Sequence, residues 1–190
     1  GSDSEYSIDA GEFQVALPLW GTVHHTGYPL HMLLGSPFVS ALGWLGLPAA
    51  AGAALFSLVW GTACVVVLGG LLFRLTDQPL LSFAAALAAS LTFSIWIHAV
   101  IPEVYSMWLF LTLLALSLAL RLDRGWSDRL GWLLALVCGL GIAHHRLLAL
   151  LLPLVALWLW PRLPHGSQLW RWGGTAMGAF VLGFLPYVDM

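Results

Sequence analysis

Long apolar runs separated by short polar breaks organise the chain from about residue 49 onward, whereas the first 48 positions mix polar and apolar residues with no clean run. Residues 49–73 carry no charge until Arg74 closes the run. Pro79 restarts the chain, and a second run reaches residue 100 before Pro102 and Glu103 break it. A third covers 104–120 and ends at Arg121. Runs at 130–143 and 147–160 fall short of the roughly 20 residues that a bilayer-crossing helix needs, so they read as tilted hairpin arms. A last run covers about 170–186. This pattern predicts an all-α polytopic transmembrane bundle of about six helices over 49–188, forming one domain. Ahead of it, residues 1–48 read as a loop domain. A short surface helix is expected from Glu12 to Trp20. Positions 31–47, broken by Gly35, Pro37, Gly43 and Gly46, read as an interfacial or re-entrant helix.

Composition strengthens the membrane reading. The chain is 60% hydrophobic and 8% charged, against about 25% charged residues in a soluble domain. Its mean hydropathy is +0.89. Eleven Trp fit aromatic belts at both interfaces. A net charge of -2 with no basic run argues against a nucleic-acid partner. Cys64 and Cys138 sit inside apolar runs and read as small buried residues. No leading apolar span precedes the polar start, so the chain reads as a piece of a larger membrane protein.

Charge then orients the spans. Alternating crossings place Arg74, Arg121, Arg124, Arg129, Arg162 and Arg171 on one face, which the positive-inside rule makes cytoplasmic. The opposite face receives Asp3, Glu5, Asp9, Glu12, Glu103 and Asp189. It also receives His24, His25, His98, His144, His145 and the remaining cation, Arg146. Charge rules explain acids outside; they do not explain the histidines or the one Arg among them.

Several groupings carry candidate chemistry. Asp9 and Glu12 stand three apart, suited to general-base work on a hydroxyl, or to a helix cap with Asp9 at its start and Glu12 one turn on. His24 and His25 precede Gly27-Tyr28-Pro29, a turn with an aromatic anchor. Glu103 and Tyr105 follow Pro102 at a helix start, where a carboxylate gains from the macrodipole or faces the pocket of Asp9. His144-His145-Arg146 lies between apolar runs with no polar loop around it. Such a cluster is costly at a membrane edge without partners, and the Arg fork matches phosphate oxygens. The acids and histidines offer ligands for a divalent metal, but no spacing demands one.

Taken in order, these residues resemble a family. Asp9-Ala10-Gly11-Glu12-Phe13, then His24 and Gly27-Tyr28-Pro29-Leu30, look like the Asp-Ser-Gly-Glu-Phe and His-Pro-Pro-Gly-Tyr-Pro-Leu signature of a bacterial membrane family long labelled a domain of unknown function. Its animal relatives are O-mannosyltransferases acting on plexin-type receptor domains. Glu103-Val104-Tyr105-Ser106, Gly141-Ile142-Ala143-His144-His145 and Leu185-Pro186-Tyr187 are similar to further elements of that family. The chain departs from it at His25-Thr26, where the family has Pro-Pro. The resemblance implies a GT-C fold, in a bacterial inner membrane, without its first transmembrane helix. It further implies an inverting glycosyltransferase that takes a sugar, such as mannose, from a polyprenyl- or dolichyl-phosphate donor. The acceptor hydroxyl would sit on a protein, lipid or glycan at the extracytoplasmic face. Asp9 matches the catalytic base. Glu12 assists it, and His24, Tyr28, Glu103, Tyr105, His144, His145 and Arg146 are expected to bind substrate. The alternative is a transporter or flippase fragment with an extracytoplasmic acid and histidine site, which would carry ionisable groups near mid-membrane.

Overall fold

The computed structural model describes residues 5–23 and 28–187, with side chains from residue 10 onward in the first stretch. The described residues form an all-helical fold, 86% helix with no strand. They form α1 (Glu5–Leu19), α2 (Pro29–Trp44), α3 (Ala49–Thr76), α4 (Pro79–Ser90), α5 (Phe93–Val100), α6 (Tyr105–Arg124), α7 (Asp128–His144), α8 (Leu151–Leu159) and α9 (Ser167–Phe184). Single 3-10 turns occupy Arg146–Leu150, Trp160–Arg162 and Leu185–Tyr187. Two helices, α3 and α6, are long and apolar enough to cross a membrane, and α4 with α5 makes a third if the bent pair is one span. At 1.5 Å per residue, α3 spans roughly 42 Å, more than the hydrocarbon core needs. The runs expected at 130–143, 147–160 and 170–186 become α7, α8 and α9. None of these has both the length and the apolarity of a span. Helix α8 is 9 residues long, and α9 spends its first turns on Ser167, Gln168 and Arg171.

The chain divides into two compact units, residues 1–110 and 111–190, with the division inside α6. In the first, α1 lies on α2 and α3, and α3 also carries α4 and α5. Its core joins Phe13, Ala16 and Leu17 of α1 to Met32 and Val39 of α2, Ala53 of α3 and Val104. Without a strong water-driven force between helices in lipid, close contact does the holding. Small residues permit it. A Cβ on Gly35 would stand 2.6 Å from Leu17 Cδ2, and one on Gly61 would stand 2.6 Å from Ala99 Cβ.

Three local expectations change. Helix α1 begins at Glu5 rather than near Glu12, so Asp9 lies inside it and is not its cap. Positions 29–44 form one continuous helix that tolerates Pro37 in its interior. The run at 79–100 is bent by 71° between α4 and α5. At the bend the Ser90 hydroxyl donates to the Leu87 carbonyl and the Thr92 hydroxyl to the Ala89 carbonyl, both at 2.7 Å. Both carbonyls also accept a backbone N–H, from Leu91 and Thr92 at 3.1 Å, so the hydroxyls add second bonds at the bend.

In the second unit α7 and α9 are the principal pair. Gly139 and Gly183 let their backbones touch: a Cβ on Gly139 would overlap the Phe180 carbonyl, and one on Gly183 the Leu136 carbonyl. After α7 the chain reverses through His145 and packs Leu148 onto Gly141, where any side chain would collide with it.

Candidate functional site

The candidate residues fall into one group in each unit. In the first unit, Glu12 is half-buried on α1 and Phe13 beside it is buried. Tyr28 precedes α2 with φ 43 and ψ 56, a left-handed backbone that costs a bulky residue on the order of 1–2 kcal/mol. Such strain persists where packing over-determines it. Here the Tyr28 ring lies 6.1 Å from that of Phe13. The ring line continues inward: Phe13 meets His31 at 5.1 Å, and His31 meets Phe56 at 5.0 Å. His31 is 1% exposed. Nothing in the sequence marked it for chemistry; its place in an apolar run is the one signal, because a buried imidazole there is expensive unless it serves packing or polarity.

Glu103 lies between α5 and α6 and is 3% exposed. Its backbone is clamped by Ser57 of α3. The Glu103 N–H donates to Ser57 Oγ at 3.0 Å, and the Ser57 hydroxyl lies 3.2 Å from the Glu103 carbonyl, which accepts from it. One hydroxyl thus serves both backbone groups of the acidic residue. Val104 packs in the same cluster as Phe13, so the residues adjoining Glu103 and Glu12 meet in one core. Tyr105 sets its ring 4.7 Å from that of His98. Both line a cavity of about 300 Å³ together with Gly61, Cys64 and Ser106. The Ser106 hydroxyl donates to the His98 carbonyl at 2.7 Å, fixing the end of α5 to the start of α6. Asp9 lies in α1, but its side chain is outside the described set, and His24 lies outside the described residues altogether.

In the second unit, His144 ends α7 and is 1% exposed. His145 is extended, and its Nδ1 accepts from the Leu147 N–H at 3.4 Å, capping the 3-10 turn that follows. Burial lowers the His145 pKa below its ordinary value of 6.5. An accepting Nδ1 requires the same neutral ring. Arg146 is exposed, and its Nη2 donates to Tyr187 Oη at 2.8 Å. The guanidinium carbon stands 5.8 Å from the Tyr187 ring centre. That ring stacks on Phe184 at 5.2 Å, and Phe184 on Phe180 at 6.4 Å. Among the described residues no carboxylate pairs with Arg146, which donates instead to the Tyr187 hydroxyl. The phenol holds the guanidinium in place, and an Arg fork matches phosphate oxygens. The sequence displays Leu185-Pro186-Tyr187 but not the service of Tyr187 to Arg146, because the contact joins two loops distant in sequence.

Among the described residues no group of three or more His, Cys, Asp or Glu side chains is placed to hold a metal ion. Residues 9–165 match the family model described as the protein O-mannosyl-transferase TMEM260 N-terminal domain. No curated protein and no solved structure matches the chain.

Proposed function

From its membership of the protein O-mannosyl-transferase TMEM260 N-terminal domain family, to which this chain belongs, we propose that it forms the catalytic part of a membrane glycosyltransferase. The reading is carried by the family match, which runs from Asp9 to the loop after α8. The proposed donor is a polyprenyl- or dolichyl-phosphate sugar, with mannose first among candidates, and the acceptor is a protein hydroxyl at the extracytoplasmic face. The fold is proposed to be of GT-C type, with residues 1–48 as an extracytoplasmic loop carrying interfacial helices and residues 49–188 as the transmembrane helical bundle.

The proposed reaction is a single inverting displacement. The acceptor oxygen attacks the anomeric carbon, its proton passes to the Asp9 carboxylate, and the bond from that carbon to the phosphate oxygen breaks. The electron pair leaves with the lipid phosphate. Negative charge therefore grows on the phosphate, and Arg146 is the group proposed to meet it, since a preorganised cation contributes where charge develops. His144 and His145, the residues before Arg146, are proposed to bind the same substrate. Glu12 and Glu103 orient sugar or acceptor, and His24, Tyr28 and Tyr105 complete the binding surface. The clamped backbone of Glu103 and the braced guanidinium of Arg146 support these roles, because groups held before substrate arrives lose little on binding it.

The test supplies radiolabelled polyprenyl-phosphate mannose to membranes carrying the protein and follows transfer to acceptor. Asp9→Asn is expected to reduce transfer by roughly 10²-fold or more, the usual contribution of a general base, with insertion unchanged. Transfer that survives Asp9→Asn would remove Asp9 as base.

A further inference from the structure

The end of the second unit remote from Arg146 carries a built pocket that the proposed reaction does not use. A cavity of about 740 Å³ opens between the start of α7, the loop after α8 and the start of α9. Arg162, Arg171, His165 and Gln168 line it together with Trp126 and Trp132. Helix α7 separates this cavity from His145 and Arg146 by about 25 Å, from its 1.5 Å rise per residue. Two acids stand at this end, and Asp128 lines the cavity itself. Asp123 accepts from Arg162 Nε at 3.2 Å, and Asp128 accepts from Trp126 Nε1 at 2.9 Å. Neither contact uses the terminal nitrogens of Arg162 or any nitrogen of Arg171. This end of the unit carries Arg121, Arg124, Arg129, Arg162 and Arg171 against Asp123 and Asp128, an excess of 5 − 2 = 3 positive charges.

A second cavity, of about 500 Å³, adjoins it and shares Trp126, Leu163 and Trp172 in its wall. This one is apolar throughout and runs between α7, α8 and α9, past Cys138, Val155 and Met177. At the shared wall, Trp172 turns its Nε1 edge onto Gly131, where a Cβ would stand 2.7 Å from that nitrogen, so the indole closes the wall by packing. The sequence of features is therefore a cationic chamber, an indole wall and an apolar groove. A glycerophospholipid with an anionic headgroup presents the complement in the same order: phosphate, then acyl chain.

We propose that the α7–α9 end of the second unit binds one anionic glycerophospholipid, its phosphate between Arg162 and Arg171 and an acyl chain in the groove. Free phosphate would use only the chamber, and the isoprenoid chain of a polyprenyl phosphate is longer than a groove of about 500 Å³ encloses. The Trp-lined mouth suits headgroup depth, where amphipathic rings settle.

The test is native mass spectrometry of the full chain released from nanodiscs holding equal phosphatidylglycerol and phosphatidylcholine. Wild type is expected to retain one phosphatidylglycerol in preference to phosphatidylcholine. The double variant R162Q/R171Q is expected to lose about tenfold in that preference, as for removing charge-assisted hydrogen bonds. Met177→Trp, which fills the groove at a 62% exposed position, is expected to lower retention with the arginines intact. Equal retention of both lipids, or retention untouched by R162Q/R171Q, overturns the proposal. Displacement by millimolar inorganic phosphate with no effect of Met177→Trp reassigns the chamber to free phosphate. Displacement by stoichiometric polyprenyl phosphate assigns the pocket to the isoprenoid lipid. Either of these last two results overturns the glycerophospholipid.

Discussion

Arg146 and Tyr187 are 41 residues apart and meet by a 2.8 Å hydrogen bond, so the position of the proposed phosphate-binding cation depends on a phenol at the far end of the unit. Tyr187→Phe keeps the ring on Phe184 and under the guanidinium but removes the oxygen. A hydrogen bond to a charged group is worth about 1.5–3 kcal/mol at most, and Arg146 is exposed, so transfer should fall only about threefold to tenfold. Arg146→Ala removes the charge itself and should cost roughly 10²–10³-fold. Kinetics of the two variants side by side check this: equal losses would mean that Tyr187 acts on the fold rather than on Arg146. His145 adds a pH term. Its folded pKa is lowered by burial, so the folded chain binds a proton there less readily than the unfolded chain. Stability from this group is complete above the unfolded value near 6.5 and declines as pH falls below it. Protonation of Nδ1 also removes the acceptor that caps Leu147. Thermal unfolding in detergent should therefore show a loss between pH 7.5 and 5.5 that shrinks in His145→Asn, which keeps an acceptor and has no charge to gain. An equal loss in both proteins would assign the pH effect elsewhere.

At the scale of elements, the pairing of α7 with α9 rests on glycines that allow backbone to meet backbone. Gly139→Ala pushes a methyl into the Phe180 carbonyl, which cannot move aside as a side chain can, so a loss of about 1–3 kcal/mol is expected. Gly178→Ala, also on the α7–α9 pair but with nothing within 4 Å of the new methyl, should be neutral or gain up to about 1 kcal/mol from helix propensity. Melting temperatures of opposite sign check the contrast; equal losses would show that helix α9 needs glycine for some reason other than contact. These contacts also mark what the sequence could tell. Apolar runs announced most helices, because length and hydropathy are local properties. The bend at Ser90-Leu91-Thr92 was hidden, since two hydroxyls in an apolar run look like span until they are seen bonding carbonyls. The extent of α1 was misread because acids at 9 and 12 imitate a cap. Glu103 and His144-His145-Arg146 stood out by polarity in apolar surroundings. Their supports, Ser57 and Tyr187, did not, because each acts across a distance in sequence that no pattern within one run encodes. His31 was missed for the same reason.

At the scale of the whole molecule, the proposed chemistry requires Arg146 to stand on the face opposite Arg121, Arg124 and Arg162, and α7 is the helix that must separate them. It has 17 residues, roughly 25 Å of rise, against a hydrocarbon core of about 30 Å. A helix this short crosses only if the bilayer thins or its charged ends reach outward, and Asp128 and Arg129 at one end with His144, His145 and Arg146 at the other are suited to that reach. Cysteine labelling decides it. Cys64 and Cys138 are each 4% exposed, so the natural thiols give little background to a membrane-impermeant maleimide. Single cysteines at Gly125 and His165, both exposed, should label only when the cytoplasmic side is open. A cysteine at Arg146 should label from outside in intact cells. If position 146 labels from the same side as position 125, α7 and the turn after it form a re-entrant hairpin. The guanidinium braced by Tyr187 would then face the cytoplasm, and a donor phosphate on the extracytoplasmic side would need a different cation.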